Sequence, residues 1–217
     1  MNNAPFTVSQ MRPIRAAMTV SRPARLGESV PVTWFSLGAG TSITPEYYDC
    51  TTVYLVAEGS GEFILGDDGH YVHVKPDELL LIPPKMLCGT KTDSGLLYTE
   101  VILKKENPVM NSIIKAGQPT ELKNLISYEE GSIANLDVVH TDNMKFVLMA
   151  FDEGTGLTPH RAPGNAILTA LEGKAIIGYE GKDYELNAGE SFRFDKNGLH
   201  SVTAQGKFKM SLLLVIE

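Results

Sequence analysis

The chain is poor in the residues on which several protein classes depend. Two cysteines, Cys50 and Cys88, in 217 residues are too few for a disulfide framework, and no CxxC or Cys/His finger spacing accompanies them. Basic charge is scarce as well: 19 Lys and Arg stand against 26 Asp and Glu, a net charge of −7, the reverse of a nucleic-acid-binding surface. The N-terminal segment carries Arg12, Arg15, Arg22 and Arg25 before its first acidic residue, Glu28. No continuous apolar stretch follows them, so neither a signal peptide nor a membrane span is expected, and a cytoplasmic protein is. There is no Gly-rich phosphate loop between a strand and a helix, no Ser nucleophile elbow and no His-Glu-x-x-His. Hydrolase and nucleotide-binding readings lack local support.

What the chain does have is apolar material and turns. Hydrophobic residues make up 43% of it, with 20 Gly and 12 Pro, a balance that favours short strands over long helices. The length fits one large domain or two of roughly 100 residues. An internal repeat favours two. The segment "GTSITPE" at 40–46 returns as "GTGLTPH" at 154–160, 114 positions later, and at the same offset Glu58-Gly59 answers Glu172-Gly173. The offset then becomes 112, where Gly66, Gly69 and Glu78 answer Gly178, Gly181 and Glu190; a two-residue difference in the loop after Gly59 accounts for the change.

The second copy reads as short strands at 144–151, 166–171, 174–180, 182–187, 191–195 and 209–217, separated by Gly- or Asn-containing turns. So many strands without helical periodicity predict an antiparallel barrel or double-sheet roll. The best helix-like segments fall around 109–116 and 120–126. The expected organisation is therefore all-β: an N-terminal arm (1–30), a first barrel (31–103), a short helical connector (104–126) and a second barrel (127–217).

On these residues the sequence resembles the cupin family, over about 32–103 and 146–217, and the duplication makes it resemble a bicupin. In the second copy, Gly154 to Gly173 stands where that family has a Gly, a His-x-His cluster, a carboxylate and a closing Gly. Gly189-Glu190 through His200 occupies the second motif. The resemblance implies two tandem cupin-type jelly-roll β-barrels, often with a divalent Zn, Fe, Mn or Ni ion held by three His and one Glu.

Position by position, much of that ligand set has changed. In the second barrel His160 and His200 keep the first and last ligand positions, while the second His falls at Ala162 and the carboxylate at Ala166 or Asn165. In the first barrel Glu46, Tyr48, Thr52 and Cys88 take the four places. Tyr47, Tyr48 and Cys88 are expected to fill the old cavity, His73 and His140 to be exposed, Trp34 to be core and Tyr179 to be half-exposed at a hairpin tip. Arg161 and Arg193 are candidate anchors for a carboxylate or phosphate.

Three functions compete. The first is a small-molecule-binding bicupin without a tightly bound metal, holding a polar metabolite such as a sugar acid or carboxylate near His160, Arg161, Asn165 and His200. The second is a lyase, isomerase or dioxygenase in which His160 and His200 hold a labile metal or act as general base. The third is a structural or regulatory bicupin whose strand edges and N-terminal arm pair into a homodimer.

Overall fold

Burial alternates with a period of two along several strands, as in Lys174–Tyr179, where Ala175, Ile177 and Tyr179 are buried and the residues between them are not, so such a strand turns one row of side chains inward. The computed structural model describes residues 3–104 and 108–217, and its contacts divide the chain into two units: Val8–Glu121, and Leu122–Glu217 together with residues up to Thr7.

The Val8–Glu121 unit contains α1 (Val8–Met11), β1 (Thr19–Pro23), β2 (Val32–Leu37), β3 (Thr41–Tyr47), β4 (Thr51–Leu65), β5 (His70–Val74), β6 (Glu78–Ile82), β7 (Leu87–Leu103), β8 (Val109–Met110) and β9 (Thr120–Glu121). One layer runs β1-β2-β7-β4-β6-β9; β3 pairs the early half of β7, and β5 the late half of β4. Strands β4 and β7 are long because they serve both layers, and register shifts at Val56/Glu58 and Ser60/Glu62 bend them from one to the other. Gly59 (φ 75°) sits at that corner, where a Cβ would lie 2.1 Å from the Gly95 carbonyl oxygen.

The other unit holds a three-residue 3₁₀ turn (Leu122–Asn124), β10 (Ile133–Thr141), β11 (Met144–Phe151), β12 (Gly156–Arg161), β13 (Gly164–Glu172), β14 (Lys174–Tyr179), β15 (Lys182–Asn187), β16 (Ser191–Phe194), β17 (Leu199–Ala204) and β18 (Phe208–Ile216). Its layers run β16-β13-β18-β11-β10 and β12-β17-β14-β15. This is the strand order of the first unit, with β13 and β14 answering the two halves of β4, and β17 and β18 those of β7. Ladder registers fix the correspondence. Tyr54↔Glu100 answers Leu168↔Leu212, Glu46↔Cys88 answers His160↔His200, and the shift at Ile43/Glu46 answers that at Leu157/His160.

Several expectations change. The offset moves from 114 to 112 at a hairpin tip rather than after Gly59: four residues, 66–69, join Leu65 to His70, whereas Glu180 and Gly181 alone join Tyr179 to Lys182. Both of those residues have positive φ, 46° and 79°, as a two-residue hairpin turn demands. The expected helical connector is not helical in its described residues. Residues 105–107 lie outside them; beyond, Pro108, Gly117 and Pro119 break up the sequence, Thr120–Glu121 pairs with β6, and Leu122–Asn124 makes a single 3₁₀ turn. The expected arm is built into the layers. Thr19–Pro23 pairs β2 as an edge strand, and Phe6, 5% exposed, exchanges two backbone bonds with Ser191.

Gly173 (φ 74°) ends β13 with the Lys207 carbonyl oxygen 2.1 Å from where a Cβ would stand, whereas Gly181 has open space around it. Gly181→Ala is expected to cost the roughly 1 kcal/mol of a strained backbone, and Gly173→Ala clearly more, measured as urea midpoints at unchanged slope. Equal losses would contradict the close approach.

Candidate functional site

In the Leu122–Glu217 unit the shift in β12 falls at Pro159, which has no N–H to give the ladder, and just past it His160 pairs in register with His200 of β17. The rings stand 4.3 Å apart between centroids at 54°. His200, 7% exposed, points inward with Val202 and Ala204 and stacks on Phe194 at 4.2 Å; His160 is exposed at the rim. Each Nδ1 lies 2.9 Å from a backbone carbonyl oxygen two residues earlier, of Thr158 and of Gly198. A carbonyl oxygen only accepts, so each Nδ1 carries the proton and each Nε2 of the neutral ring presents a lone pair. Behind His200 the interior is filled by Tyr179, Phe192 and Phe194. A cleft of about 240 Å³ has Pro159, Tyr179, Glu180, Leu199, His200 and Ser201 in its wall.

The other sequence-chosen residues do different work. The Asn165 Oδ1 accepts from the Lys196 N–H at 2.9 Å, Arg161 donates to the Asn197 carbonyl and lies 3.6 Å from Glu180, and the Ala162 carbonyl accepts from Asn197. Arg161, Ala162 and Asn165 thus brace the turn before β17. Arg193 pairs with Asp195 at 3.1 Å. Tyr179 is buried and faces the core instead of standing half-exposed, because β14 turns Ala175, Ile177 and Tyr179 to one side.

In the Val8–Glu121 unit Glu46 faces Cys88 in register. Cys88 is 4% exposed with its Sγ 3.9 Å from the Tyr54 hydroxyl, and burial pushes its thiol up to about 12. Tyr48, half-buried, is raised to about 12 by burial and then by Glu100, Glu46 and Cys88. Tyr47 does not fill the interior: it is exposed and donates to Asp67 at 2.5 Å. Cys50 and Cys88 are both free thiols, His73 is exposed, His140 is half-buried and Trp34 is 1% exposed in the core. Sequence reasoning missed Glu100. It lies 7% exposed on β7, sharing an inward face with Tyr54 and Tyr98, and burial raises its carboxyl while the Tyr54 hydroxyl donates to it. The signal was there, a lone acid within the apolar run "LLYTEVIL".

Residues 147–216 match the family model of the Cupin domain. Solved structures agree on the fold along nearly the whole chain. A cupin 2 conserved barrel domain protein from Leptotrichia buccalis aligns with a TM-score of 0.85 at 24% identity, over 97% of this chain and 95% of that one. A salicylate 1,2-dioxygenase from Pseudaminobacter salicylatoxidans aligns with a TM-score of 0.67 at 12% identity, over 97% and 83%. At these identities the likeness shows a cupin fold. No curated protein sequence registers as a relative, and no helix among the described residues is long and apolar enough to cross a membrane.

The three-His, one-Glu set that the resemblance implies does not fit the Leu122–Glu217 unit. Ala162 has no ligating atom, Ala166 faces the core at 2% exposure, and the Asn165 oxygen is bonded to the backbone. Among the described residues no three His, Cys, Asp or Glu gather into a metal-binding group.

Burial lowers the His200 pKa below 6.5; the bond to Gly198 works against burial, and His160 adds to it. The unfolded chain therefore takes up a proton near pH 6.5 that the folded chain does not, and stability falls as pH drops through that value toward the lower folded pKa. His200→Asn is expected to flatten the urea midpoint between about pH 7 and 5. An unchanged pH dependence in the variant would show that other groups cause it.

Proposed function

We propose that the chain is a bicupin, a duplicated cupin barrel, that binds a small hydroxyl-bearing metabolite at the His160–His200 pair without a tightly held metal. One observation carries this reading: both Nδ1 protons are committed to backbone carbonyls, so the neutral forms of the two imidazoles offer adjacent Nε2 acceptors. Acceptors recognise donors, and a ligand with neighbouring hydroxyls supplies two of them. A polyol or the hydroxylated part of a sugar acid fits this pattern. A carboxylate fits it less well, because it would need an imidazolium that the burial of His200 disfavours, and Arg161 is already turned to Glu180 and Asn197. The adjoining cleft of about 240 Å³ suits a small molecule rather than a polymer.

The same lone pairs favour a second reading, a metal-dependent enzyme with a weakly held ion, since Zn, Fe, Mn and Ni accept imidazole nitrogen. Thermal-shift measurements against polyols and sugar acids, in chelator and in each divalent ion, separate the two. At a hundred times its Kd a ligand adds about 2.7 kcal/mol. The expected result is stabilisation in chelator that disappears in both His160→Ala and His200→Ala. Stabilisation that requires a divalent ion would move the assignment to the metal-dependent reading, and no stabilisation by any compound would overturn both.

A further inference from the structure

The two units share their registers, so their inward positions can be compared one by one. At four of these the Leu122–Glu217 unit carries apolar residues, Leu168, Val202, Met210 and Leu212, where the Val8–Glu121 unit carries Tyr54, Thr90, Tyr98 and Glu100. One copy thus closes the fold without any polar group at these places. The other buries three hydroxyls and a carboxyl there, which is costly unless something pairs with them.

These groups are only partly satisfied from within. The Cys88 thiol donates to the Tyr54 hydroxyl, and that hydroxyl donates to Glu100; the chain ends on a carboxyl whose ionised form can only accept and is disfavoured by burial. The Thr90 hydroxyl, 2% exposed and turned inward, has among the described residues only the Tyr98 phenol to interact with and meets it outside full hydrogen-bond geometry. Glu46 and Tyr48 stand nearer the surface, and Tyr48 feels both Glu46 and Glu100. No Lys, Arg or His acts on Glu100 or Tyr48 among the described residues. Tyrosine rings complete the surroundings, with Tyr54 and Tyr98 edge to face at 5.4 Å and Phe63 against both.

We infer that the Val8–Glu121 unit binds a small organic ammonium ion in its interior, the cation pairing with Glu100 and lying against the rings of Tyr48, Tyr54 and Tyr98, with Glu46 at the entrance. The ionised form of the buried Glu100 carboxyl has no Lys, Arg or His beside it among the described residues, so a bound cation would stabilise that form, and aromatic faces attract cations. A divalent metal suits the site less, since Glu46, Cys88 and Glu100 do not converge as ligands. The inference is independent of the histidine pair, which lies in the other unit.

The test is calorimetric titration of the full chain with methylammonium and tetramethylammonium chlorides, with sodium chloride at equal ionic strength and tert-butanol as controls. The expected result is saturable binding of at least one ammonium ion with millimolar or tighter Kd, weakened at least tenfold by Glu100→Gln and less by Glu46→Gln. His200→Ala should leave it unchanged, so its failure and that of the histidine site are separable. If Glu100→Gln does not fold, Tyr54→Phe and Glu46→Gln carry the test, and both must weaken binding. Equal responses to sodium or tert-butanol, full retention in the variants, or no binding by either ammonium ion would overturn the inference.

Discussion

Whatever stands at an inward position of either unit must be apolar or must find its hydrogen-bond partners inside, because two antiparallel layers leave little water between them. The rest of the molecule follows from how each unit meets that demand. In the Leu122–Glu217 unit the demand is met almost wholly with hydrocarbon: Leu168, Phe192, Phe194 and Tyr179 pack together, and the one inward imidazole, His200, has its Nδ1 proton taken by its own turn and its face covered by Phe194. Among the described residues, polarity gathers at the rim, where His160 meets His200, and at the Tyr179 hydroxyl, which accepts from the Asp195 N–H. In the Val8–Glu121 unit polarity runs from the rim inward, from Glu46 through Tyr48 and Cys88 to Glu100.

This difference separates two kinds of chemistry on one scaffold. A pair of imidazoles whose Nδ1 protons are taken by the backbone asks, in its neutral form, for hydrogen-bond donors. A buried carboxyl among phenols asks for a positive charge, or else keeps its proton. Neither interior reproduces the four-ligand metal cage that the family resemblance implies, and they depart from it in different directions: one replaces ligands with alanine, the other replaces imidazole with acid, phenol and thiol.

Much of the fold was legible because its determinants are local. Glycines at matched places, 59 and 173, mark corners where a side chain cannot enter, and the Thr-Pro of each copy marks the interrupted ladder of β3 and β12. The His160–His200 pair was legible as two motif positions. Less visible were features set by partners distant in sequence. The segment after Pro119 reads as a helix start, but Thr120–Glu121 finds an edge on β6, and that pairing overrides a weak propensity. Asn165 and Arg161 read as pocket residues because their offsets were right, yet a turn thirty or so residues away uses both. Glu100 was hidden by its apolar neighbours: only the register against Tyr54 shows that it points inward.

The separation between scaffold and site explains how two units with the same strand order carry such different side chains. The bulge that sets position 46 or 160 opposite 88 or 200 falls at Pro45 in one copy and Pro159 in the other, and a missing N–H interrupts the ladder whatever side chain comes next. The geometry of the pair therefore does not depend on the identity of its members. Glu46 with Cys88 and His160 with His200 occupy the same register because the backbone places them there, so a change at the exposed position 46 or 160 alters the chemistry of the rim without disturbing the strands that carry it. Changes deeper in the interior, at 54 or 100, lack that freedom, since each must be accommodated by the packing around it.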